Sequence, residues 1–197
     1  MYDFPYPRPS SLDDAAVAIK GAGDGTFLAG GQTLLPILKL RLANPSDVVD
    51  LGSIAELKGI TVDGDTVTIG AMTPHAEVAG SADVCAKIPA LADLAESIGD
   101  LQVRNRGTIG GSIANNDPAA DYPAAVVGLG ATVHTNARTI AADDFFTGLL
   151  ETALNDGEII TAVSFRIPAK AGYAKFPHPA SRFALTGVFV ARTKSGD

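Results

Sequence analysis

Cysteine, charge and long apolar runs are all scarce in this chain of 197 residues. Because Cys85 is the single cysteine, an intramolecular disulfide framework and a cysteine-rich metal cluster are excluded. No apolar run approaches the ~18 residues that a membrane span requires, and the N-terminus lacks the basic and apolar regions of a signal peptide. These absences predict a soluble cytoplasmic protein with no membrane span.

Basic residues are also in the minority, with 15 against 22 acidic residues and a net charge of −7. This balance argues against a general nucleic-acid-binding protein. Hydrophobic residue types make up 46% of the chain and charged types 19%, which excludes a disordered polymer. The length allows one domain or two small ones.

Motifs of hydrolytic and metal-dependent catalysis are missing as well. His75, His134 and His178 are widely spaced and form neither an H-x-x-x-H nor an H-E-x-x-H pattern, so no metal site is predicted. No G-x-S-x-G elbow is present for a Ser-His-Asp enzyme. His75 is predicted instead to cap or pack on a short helix.

The N-terminal quarter of the chain is predicted to alternate helices and strands. The S-x-x-D pattern at Ser11 is typical of a helix start, and glycines near residue 21 end that helix. The order strand, helix, strand that follows favours a parallel strand pair. The predicted elements are a helix from Ser11 to about Gly21, strands over 26–29 and 47–51, and a helix over 34–42.

Beyond residue 58 the spacing of apolar residues changes. Asp-Gly between alternating apolar residues predicts a hairpin over 59–69. The segment 108–115 is glycine-rich and expected to be partly extended, and Asp117-Pro118 is expected to begin a short helix with Asp117 as its N-cap. The remaining predicted elements are helices over 74–78 and 89–98, strands over 131–135, 138–141 and 159–167, and a buried strand over 183–191. The mixture predicts an α+β protein.

Two glycine-rich loops carry the strongest functional signal. The first, AGGQTLLP, covers 29–36 between a strand and a helix, and the second, TIGGSIANNDP, covers 108–118. Glycines let main-chain amides turn outward and let a ligand approach closely, and a helix N-terminus favours an anion. Both loops are expected to offer free amides, so together they could clasp a pyrophosphate. The first loop matches neither the Rossmann nor the P-loop pattern.

Charged residues near the second loop allow two interpretations each. Asp121 is placed to accept hydrogen bonds from sugar or sugar-alcohol hydroxyls, or it is a solvated acid in the first turn of a helix. Arg104 and Arg106 flank the loop and either assist an anionic cofactor or partner, or are solvated.

Four segments together resemble a known family: AGGQTLLP at 29–36, GDTVTIGAMTPHAEV at 64–78, VRNRGTIGGSIANNDPAADYPA at 103–124 and PHPASRFAL at 177–185. They resemble the FAD-binding medium subunit of the molybdenum hydroxylases, a group that includes the carbon monoxide dehydrogenase medium subunit and the flavin domain of xanthine dehydrogenase. The resemblance implies an α+β, two-subdomain FAD-binding fold of the vanillyl-alcohol oxidase and para-cresol methylhydroxylase type.

The resemblance also implies which residues hold FAD. Asp121 is expected to bind FAD hydroxyls, Ile98 to lie near the flavin, and Ile160 to contact the flavin ring through its main chain. Lys175 and His178 both fall where the family often has a basic residue near the isoalloxazine, and the choice between them stays open. The loops are expected to hold the pyrophosphate through the main chain of Ala29, Gly30, Gly31, Gln32, Thr33, Leu34, Thr108, Ile109, Gly110, Gly111 and Ser112.

As function, the resemblance implies an electron-transfer subunit of an oxidoreductase, with no catalytic residue of its own. A large molybdenum-cofactor subunit would oxidise the substrate, and [2Fe–2S] clusters of a small subunit would pass electrons to FAD and on to an external acceptor. A dimer of heterotrimers is expected. The alternatives are a stand-alone flavin oxidase of the same fold and a cofactor-free assembly module.

Three parts are expected along the chain: a small α/β FAD-binding subdomain over 1–57, a larger mixed α+β FAD-binding subdomain over 58–170, and the start of a C-terminal domain over 171–197. The family usually carries a further C-terminal domain after PASRFAL, which this chain is expected to lack. Gln32 stands where the family often has His or Asn, and little effect is expected because that loop works through its main chain.

Overall fold

A computed structural model describes residues 1–194; Ser195 to Asp197 of the predicted C-terminal part lie outside the described residues. Its helices are α1 (Leu12–Gly21), α2 (Leu34–Lys39), α3 (His75–Gly80), α4 (Ala82–Lys87), α5 (Pro89–Glu96), α6 (Leu101–Arg104), α7 (Ile109–Asn115), α8 (Tyr122–Gly128) and α9 (Ala142–Phe145). Its strands are β1 (Gly25–Leu28), β2 (Asp47–Asp50), β3 (Ile60–Asp63), β4 (Thr66–Gly70), β5 (Thr132–Thr135), β6 (Thr139–Ala141), β7 (Phe146–Gly148), β8 (Glu151–Thr152), β9 (Ile160–Arg166), β10 (Lys170–Pro177) and β11 (Ala184–Arg192).

The N-terminal unit follows its local signals. Ser11 caps α1, because its hydroxyl accepts a hydrogen bond of 3.2 Å from the amide of Asp14. Strands β1 and β2 pair in parallel, with Thr26 opposite Val48, which confirms the predicted parallel pair. Helix α2 ends at Lys39, earlier than predicted, and Arg41 adopts a left-handed φ of 57° just beyond it.

The main core lies between a five-stranded antiparallel sheet and the helices that cover it. The strand order is β3-β4-β9-β5-β6, and the predicted hairpin over 59–69 is confirmed as β3 and β4. Alternate residues of the central strands are fully buried, as the period of two requires for a half-covered sheet. The buried strand residues are Val67, Ile69, Val133, Val163 and Phe165, and helices α5, α7 and α8 bury Leu91, Leu94, Ile113 and Tyr122 against the same core.

The second glycine loop is helical, so the expected extended segment over 108–115 is wrong. Thr108 is the N-cap of α7 and accepts a hydrogen bond of 3.1 Å from the amide of Gly111. A Cβ on Gly110 would lie 2.6 Å from the Cβ of Ala71, so the missing side chain lets α7 approach β4 closely. Tertiary packing of Ile109 and Ile113 in the core outweighs the poor helix propensity of glycine.

The predicted helix start at Asp117-Pro118 is also wrong, because this dipeptide forms a turn. The Asp117 carboxylate accepts a hydrogen bond of 2.8 Å from the amide of Ala119, two residues on. This arrangement is an Asx turn, the other structure that Asp before a turn favours. Helix α8 begins later, at Tyr122, with Asp121 in its N-cap position and Pro123 in its first turn.

The last strand has a partner upstream and is mostly exposed, in contrast to the predicted buried strand over 183–191. Strands β10 and β11 form an antiparallel ribbon with Tyr173 opposite Phe189. Phe189 is buried beside α8, whereas Val188 and Val190 are 56% and 64% exposed. The apolar run that predicted burial therefore occupies both faces of the ribbon, and only one face packs on the core.

Candidate functional site

A cavity of about 450 Å³ lies where the two glycine loops meet. The first loop lines it with residues 29–34, and the second with Thr108 and residues 110–112. Ile98, Asp121 and Ile160 line the same cavity. The structure therefore brings most of the predicted site residues together from elements that are distant in sequence.

The loops touch each other through their glycines. A Cβ on Gly111 would lie 3.2 Å from the Cβ of Ala29, and a Cβ on Gly30 would overlap the main-chain carbonyl of Arg106. A side chain at Gly30 is therefore excluded, and one at Gly111 would force its neighbours to move by a few tenths of an ångström. The glycines therefore set the spacing of the two loops across the cavity.

The first loop presents unpaired main-chain donors. Among residues 1–194, none accepts a hydrogen bond from the amides of Gly30, Gly31, Gln32 or Thr33. Gly31 has a positive φ of 75°, which helps successive amides to turn to one side. Four neighbouring free amides form a concave donor site for an anion.

The second loop contributes shape and hydroxyls rather than free amides. The amides of residues 109–112 all donate within the protein, so the expectation of free amides is wrong for these four positions. Their acceptors are, in order, Thr73 O at 3.3 Å, Ala71 O at 2.8 Å, Thr108 Oγ1 at 3.1 Å and Thr108 O at 3.0 Å. The pairing follows from the helix cap and from the close packing of α7 on the chain after β4.

Asp121 belongs to a buried polar cluster on the cavity wall. Its carboxylate accepts a hydrogen bond of 2.6 Å from the Tyr173 hydroxyl and pairs with Lys175 Nζ at 2.9 Å. Lys175 also donates to the carbonyl of Ser97 at 3.1 Å. The Asp121 side chain is 4% exposed, so its interpretation as a solvated acid is wrong. Burial and the Asp121 carboxylate raise the pKa of Tyr173, which keeps this hydroxyl a donor.

The two candidate basic residues lie in different environments. Lys175 is buried against Asp121 but does not itself line the cavity. His178 is exposed between β10 and β11, and its Nδ1 accepts hydrogen bonds from the amides of Ala180 and Ser181 at 3.2 and 3.3 Å.

One predicted residue of the second loop, Ile109, does not line the cavity, because its side chain is fully buried in the core.

Arg104 has a structural role beside the second loop. Its side chain is 12% exposed and pairs with Glu96 at 3.1 Å. The same guanidinium donates to the carbonyl of Ile98 at 3.1 Å and to that of Gly99 at 3.3 Å. The interpretation of Arg104 as solvated is therefore wrong, and its charge fixes the chain between α5 and α6.

His75 and Glu158 line the cavity and were not predicted as site residues. Glu158 is held by Arg138 at 3.0 Å and by the Thr135 hydroxyl at 2.7 Å. The hydrogen bond from Arg138, with further bonds from Thr135 and Asn155, lowers the pKa of Glu158 to about 2. His75 is 5% exposed, and burial lowers its pKa to about 4, with a smaller effect from Arg104. No local pattern marks either residue, since both reach the cavity only through the fold.

The family model described as the FAD binding domain in molybdopterin dehydrogenase matches residues 2–170. The chain belongs to this family. FAD is therefore the cofactor, and the chain is a medium, FAD-binding subunit of the molybdenum hydroxylases, which are oxidoreductases. The predicted α+β FAD-binding fold is confirmed. Within residues 1–194, no helix combines the length and apolar character needed to cross a membrane.

Known relatives and structures agree with this assignment. The chain is 40% identical to the carbon monoxide dehydrogenase medium chain of Hydrogenophaga pseudoflava, an alignment that covers 98% of this chain and 70% of the relative. The solved carbon monoxide dehydrogenase of that organism, which lacks the Mo-pyranopterin moiety, gives a TM-score of 0.93 at 39% identity over 99% of this chain and 71% of that one. Quinoline 2-oxidoreductase from Pseudomonas putida 86 gives 0.92 at 33% identity over 97% and 69%.

The residues of the cavity fit FAD on physical grounds. The free amides of residues 30–33 suit a diphosphate, which needs donors and no side-chain charge. Ile98 and Val103 give an apolar wall on which an aromatic ring can pack. Asp121 supplies a carboxylate, and a carboxylate has about four acceptor positions, of which hydroxyls of a sugar alcohol can use those left free.

Proposed function

We propose that this cavity holds FAD between the two glycine loops. In this proposal the amides of the first loop bind the diphosphate, and Asp121 accepts hydrogen bonds from FAD hydroxyls, with Lys175 holding its carboxylate in place. Ile98 packs near the ring, and the main chain at Ile160 contacts it. The remaining contacts come from Ala29, Leu34, Thr108, Gly110, Gly111 and Ser112, and Ile109, which lies off the cavity, is not part of the proposed site.

One observation carries this proposal: in the described part of the protein, four consecutive amides of the first loop lack an acceptor, and their residues line the cavity that both loops share. Gly30 is buried and Gly31 half-buried, and donors left unpaired there favour an anionic ligand, whereas Gln32 and Thr33 are exposed. The division of the chain into three parts, with boundaries at residues 57 and 170, is also our proposal. The family model ends at residue 170, which supports the second of these boundaries.

We further infer that the chain serves as an electron-transfer subunit. FAD supplies electron transfer when it is bound, and the chain binds and orients it. The proposed electron donor to FAD is a [2Fe–2S] small subunit, which takes its electrons from a molybdenum-cofactor large subunit. FAD then passes them to an external acceptor. The relatives are named medium chains and subunits, which supports such partners. A dimer of heterotrimers in the cytoplasm remains our prediction.

Substitution at the contact between the loops tests the FAD site. The methyl group of Gly111→Ala would lie 3.0 Å from Thr108 Oγ1 and 3.2 Å from the Cβ of Ala29, so it pushes the loops apart. We expect a roughly tenfold loss of FAD affinity by calorimetry, the change that 1.4 kcal/mol produces. The matched control is Gly80→Ala, in helix α3, where an added Cβ meets nothing within 4 Å.

The control variant is expected to bind FAD within about twofold of the parent chain. If the parent shows no flavin absorption bands after saturation with FAD, the proposed site is wrong, and the cofactor-free assembly module becomes the better assignment. Equal affinity of the parent and Gly111→Ala would show that the loops do not hold the cofactor. Thermal unfolding of the apo proteins checks that both variants fold.

A further inference from the structure

His75 is a buried polar residue of the cavity to which the proposed function assigns no role. It is the first residue of α3, and its amide donates to the carbonyl of Gly107 at 3.0 Å. Its side chain lines the cavity although the residue is only 5% exposed. The position is therefore fixed by main-chain contacts, and the imidazole is aimed into the site rather than into solvent.

The two nitrogens of the His75 ring have different surroundings. Nδ1 is enclosed and has no hydrogen-bond partner among residues 1–194. Nε2 also lacks a protein partner in this part of the chain, but it is not enclosed and lies beside Gly107, where an added Cβ would come within 2.5 Å of it. Nε2 is therefore the atom that a ligand in the cavity can reach.

Tyr122 packs beside His75. Its hydroxyl is the other buried polar group without a partner in the described chain, and its ring centroid lies 5.3 Å from that of His75. Burial raises the pKa of Tyr122, so the hydroxyl keeps its proton and is a donor. The described structure contains no direct hydrogen bond between this hydroxyl and Nδ1, so a link between them requires one enclosed water. An imidazole that accepts at Nδ1 carries its hydrogen on Nε2.

The surroundings of His75 favour a neutral donor. The charged group that acts on it is the Arg104 guanidinium, on α6, whereas the Asp121 carboxylate acts on the neighbouring Tyr122. Burial and Arg104 keep the ring uncharged near pH 7, because they lower its pKa to about 4. The free amides of residues 30–33 already provide donors for a diphosphate, so a further neutral donor in the cavity is left for a heterocycle.

Part of the cavity wall is apolar. Ile98 and Val103 line the cavity, and the Cβ position of Gly107 lies 3.2 Å from the carbonyl of Val103 as well as close to Nε2. One donor on an apolar wall matches a flat aromatic ring that has polar atoms on its edge. The first loop, with its four free amides, matches an anion instead.

We propose that His75 donates a hydrogen bond from Nε2 to a carbonyl oxygen or ring nitrogen of the FAD isoalloxazine, and that Tyr122 holds the required tautomer. This inference rests on the proposed placement of FAD in the cavity. It assigns His75 as a cofactor-binding residue and Tyr122 as a positioning residue. Hydrogen bonds to the ring are one of the ways in which a protein tunes a flavin.

Calorimetric titration of the 197-residue chain with FAD, and separately with ADP, tests the assignment. His75→Phe keeps the aromatic bulk and removes the donor, so we expect a roughly tenfold loss of FAD affinity and no change for ADP, which has no isoalloxazine. His75→Gln retains an N–H donor and is expected to bind FAD within about threefold of the parent. Nitrogen-15 NMR of the unmodified chain should show a protonated Nε2 whose shift changes with FAD and not with ADP.

Each other outcome has a definite meaning. If the parent binds FAD and His75→Phe binds it equally well, the role of His75 is wrong while the FAD site stands. An equal loss of FAD and ADP affinity would place the hydrogen bond on the ADP part and overturn the assignment to the ring. A protonated Nδ1 in the NMR spectrum would overturn the role of Tyr122. A parent chain that binds neither ligand would remove the proposed site and this inference together.

Discussion

At the scale of single residues, the buried ion pair of Asp121 and Lys175 is the feature most sensitive to substitution. Both side chains are almost fully buried, at 4% and 7% exposure, and each has one further protein partner. A buried pair is costly to desolvate, and a buried charge without its partner is costlier still. The pair therefore holds a carboxylate at the cavity, but substitution of either partner alone lowers the stability of the protein.

Lys175→Met should lower the free energy of unfolding of the apo protein by about 3–5 kcal/mol, because Asp121 is left buried and unpaired. The double variant Lys175→Met with Asp121→Asn should recover much of that loss, since no unpaired charge remains. Urea unfolding of the parent, the two single variants and the double variant gives the coupling between the two sites. A loss below about 1 kcal/mol for Lys175→Met would contradict the burial of the pair.

At the scale of elements, the first turn of α7 decides how the two loops fit together. Thr108 caps the helix, and Gly110 and Gly111 allow the helix to approach β4 and the first loop. The cap satisfies an amide that would otherwise lack an acceptor. The stability of this helix start and the shape of the cavity therefore depend on the same three residues.

Thr108→Ala should lower the stability of the apo protein by about 1 kcal/mol, because the Gly111 amide loses its acceptor. For a chain of this length, that loss corresponds to a fall in Tm of about 2–4 °C. Thr108→Ser is the matched control, since it keeps the hydroxyl, and it should lose clearly less. Identical melting temperatures for the Ala and Ser variants, measured by calorimetry, would argue against a role for the cap.

At the scale of the whole molecule, two buried groups predict that the fold is sensitive to acid. The folded pKa of His75 is about 4 against an ordinary value of 6.5, so the unfolded chain binds the extra proton first as the pH falls. The folded pKa of Glu158 is about 2 against 4.5, so its stabilising contribution is complete above pH 4.5 and is lost as the pH falls towards 2. Both effects therefore lower stability in acid.

Between pH 7 and pH 4.5, the titration of His75 alone should remove about 2 kcal/mol from the free energy of unfolding of the apo protein. Urea unfolding at several pH values measures this slope. In His75→Gln, the loss of unfolding free energy between pH 7 and pH 4.5 should be smaller by about 2 kcal/mol, because the titrating group is absent. The loss below pH 4.5 should remain. A parent and a variant with parallel pH profiles would show that His75 is not buried in its neutral form.

Many elements could be predicted from the sequence because their signals are local. The S-x-x-D cap of α1, the Asp-Gly turn between β3 and β4, and the parallel pair of β1 and β2 are all confirmed. Two of the wrong predictions concern segments with two competing local structures. Asp117-Pro118 favours both a helix start and an Asx turn, and the glycines of 108–115 favour an irregular chain until packing makes them helical.

The sequence alone determined where the glycine pairs stand in the chain, and glycine is the residue that permits a positive φ, as at Gly31, and a close approach of main chain, as at Gly110. Only the tertiary structure decided the rest. It brought loops about eighty positions apart into contact, left the amides of one loop free while pairing those of the other, and paired Lys175 with Asp121. It also turned His75 and Glu158 towards the cavity. These results depend on the packing of distant elements, which no local sequence pattern encodes.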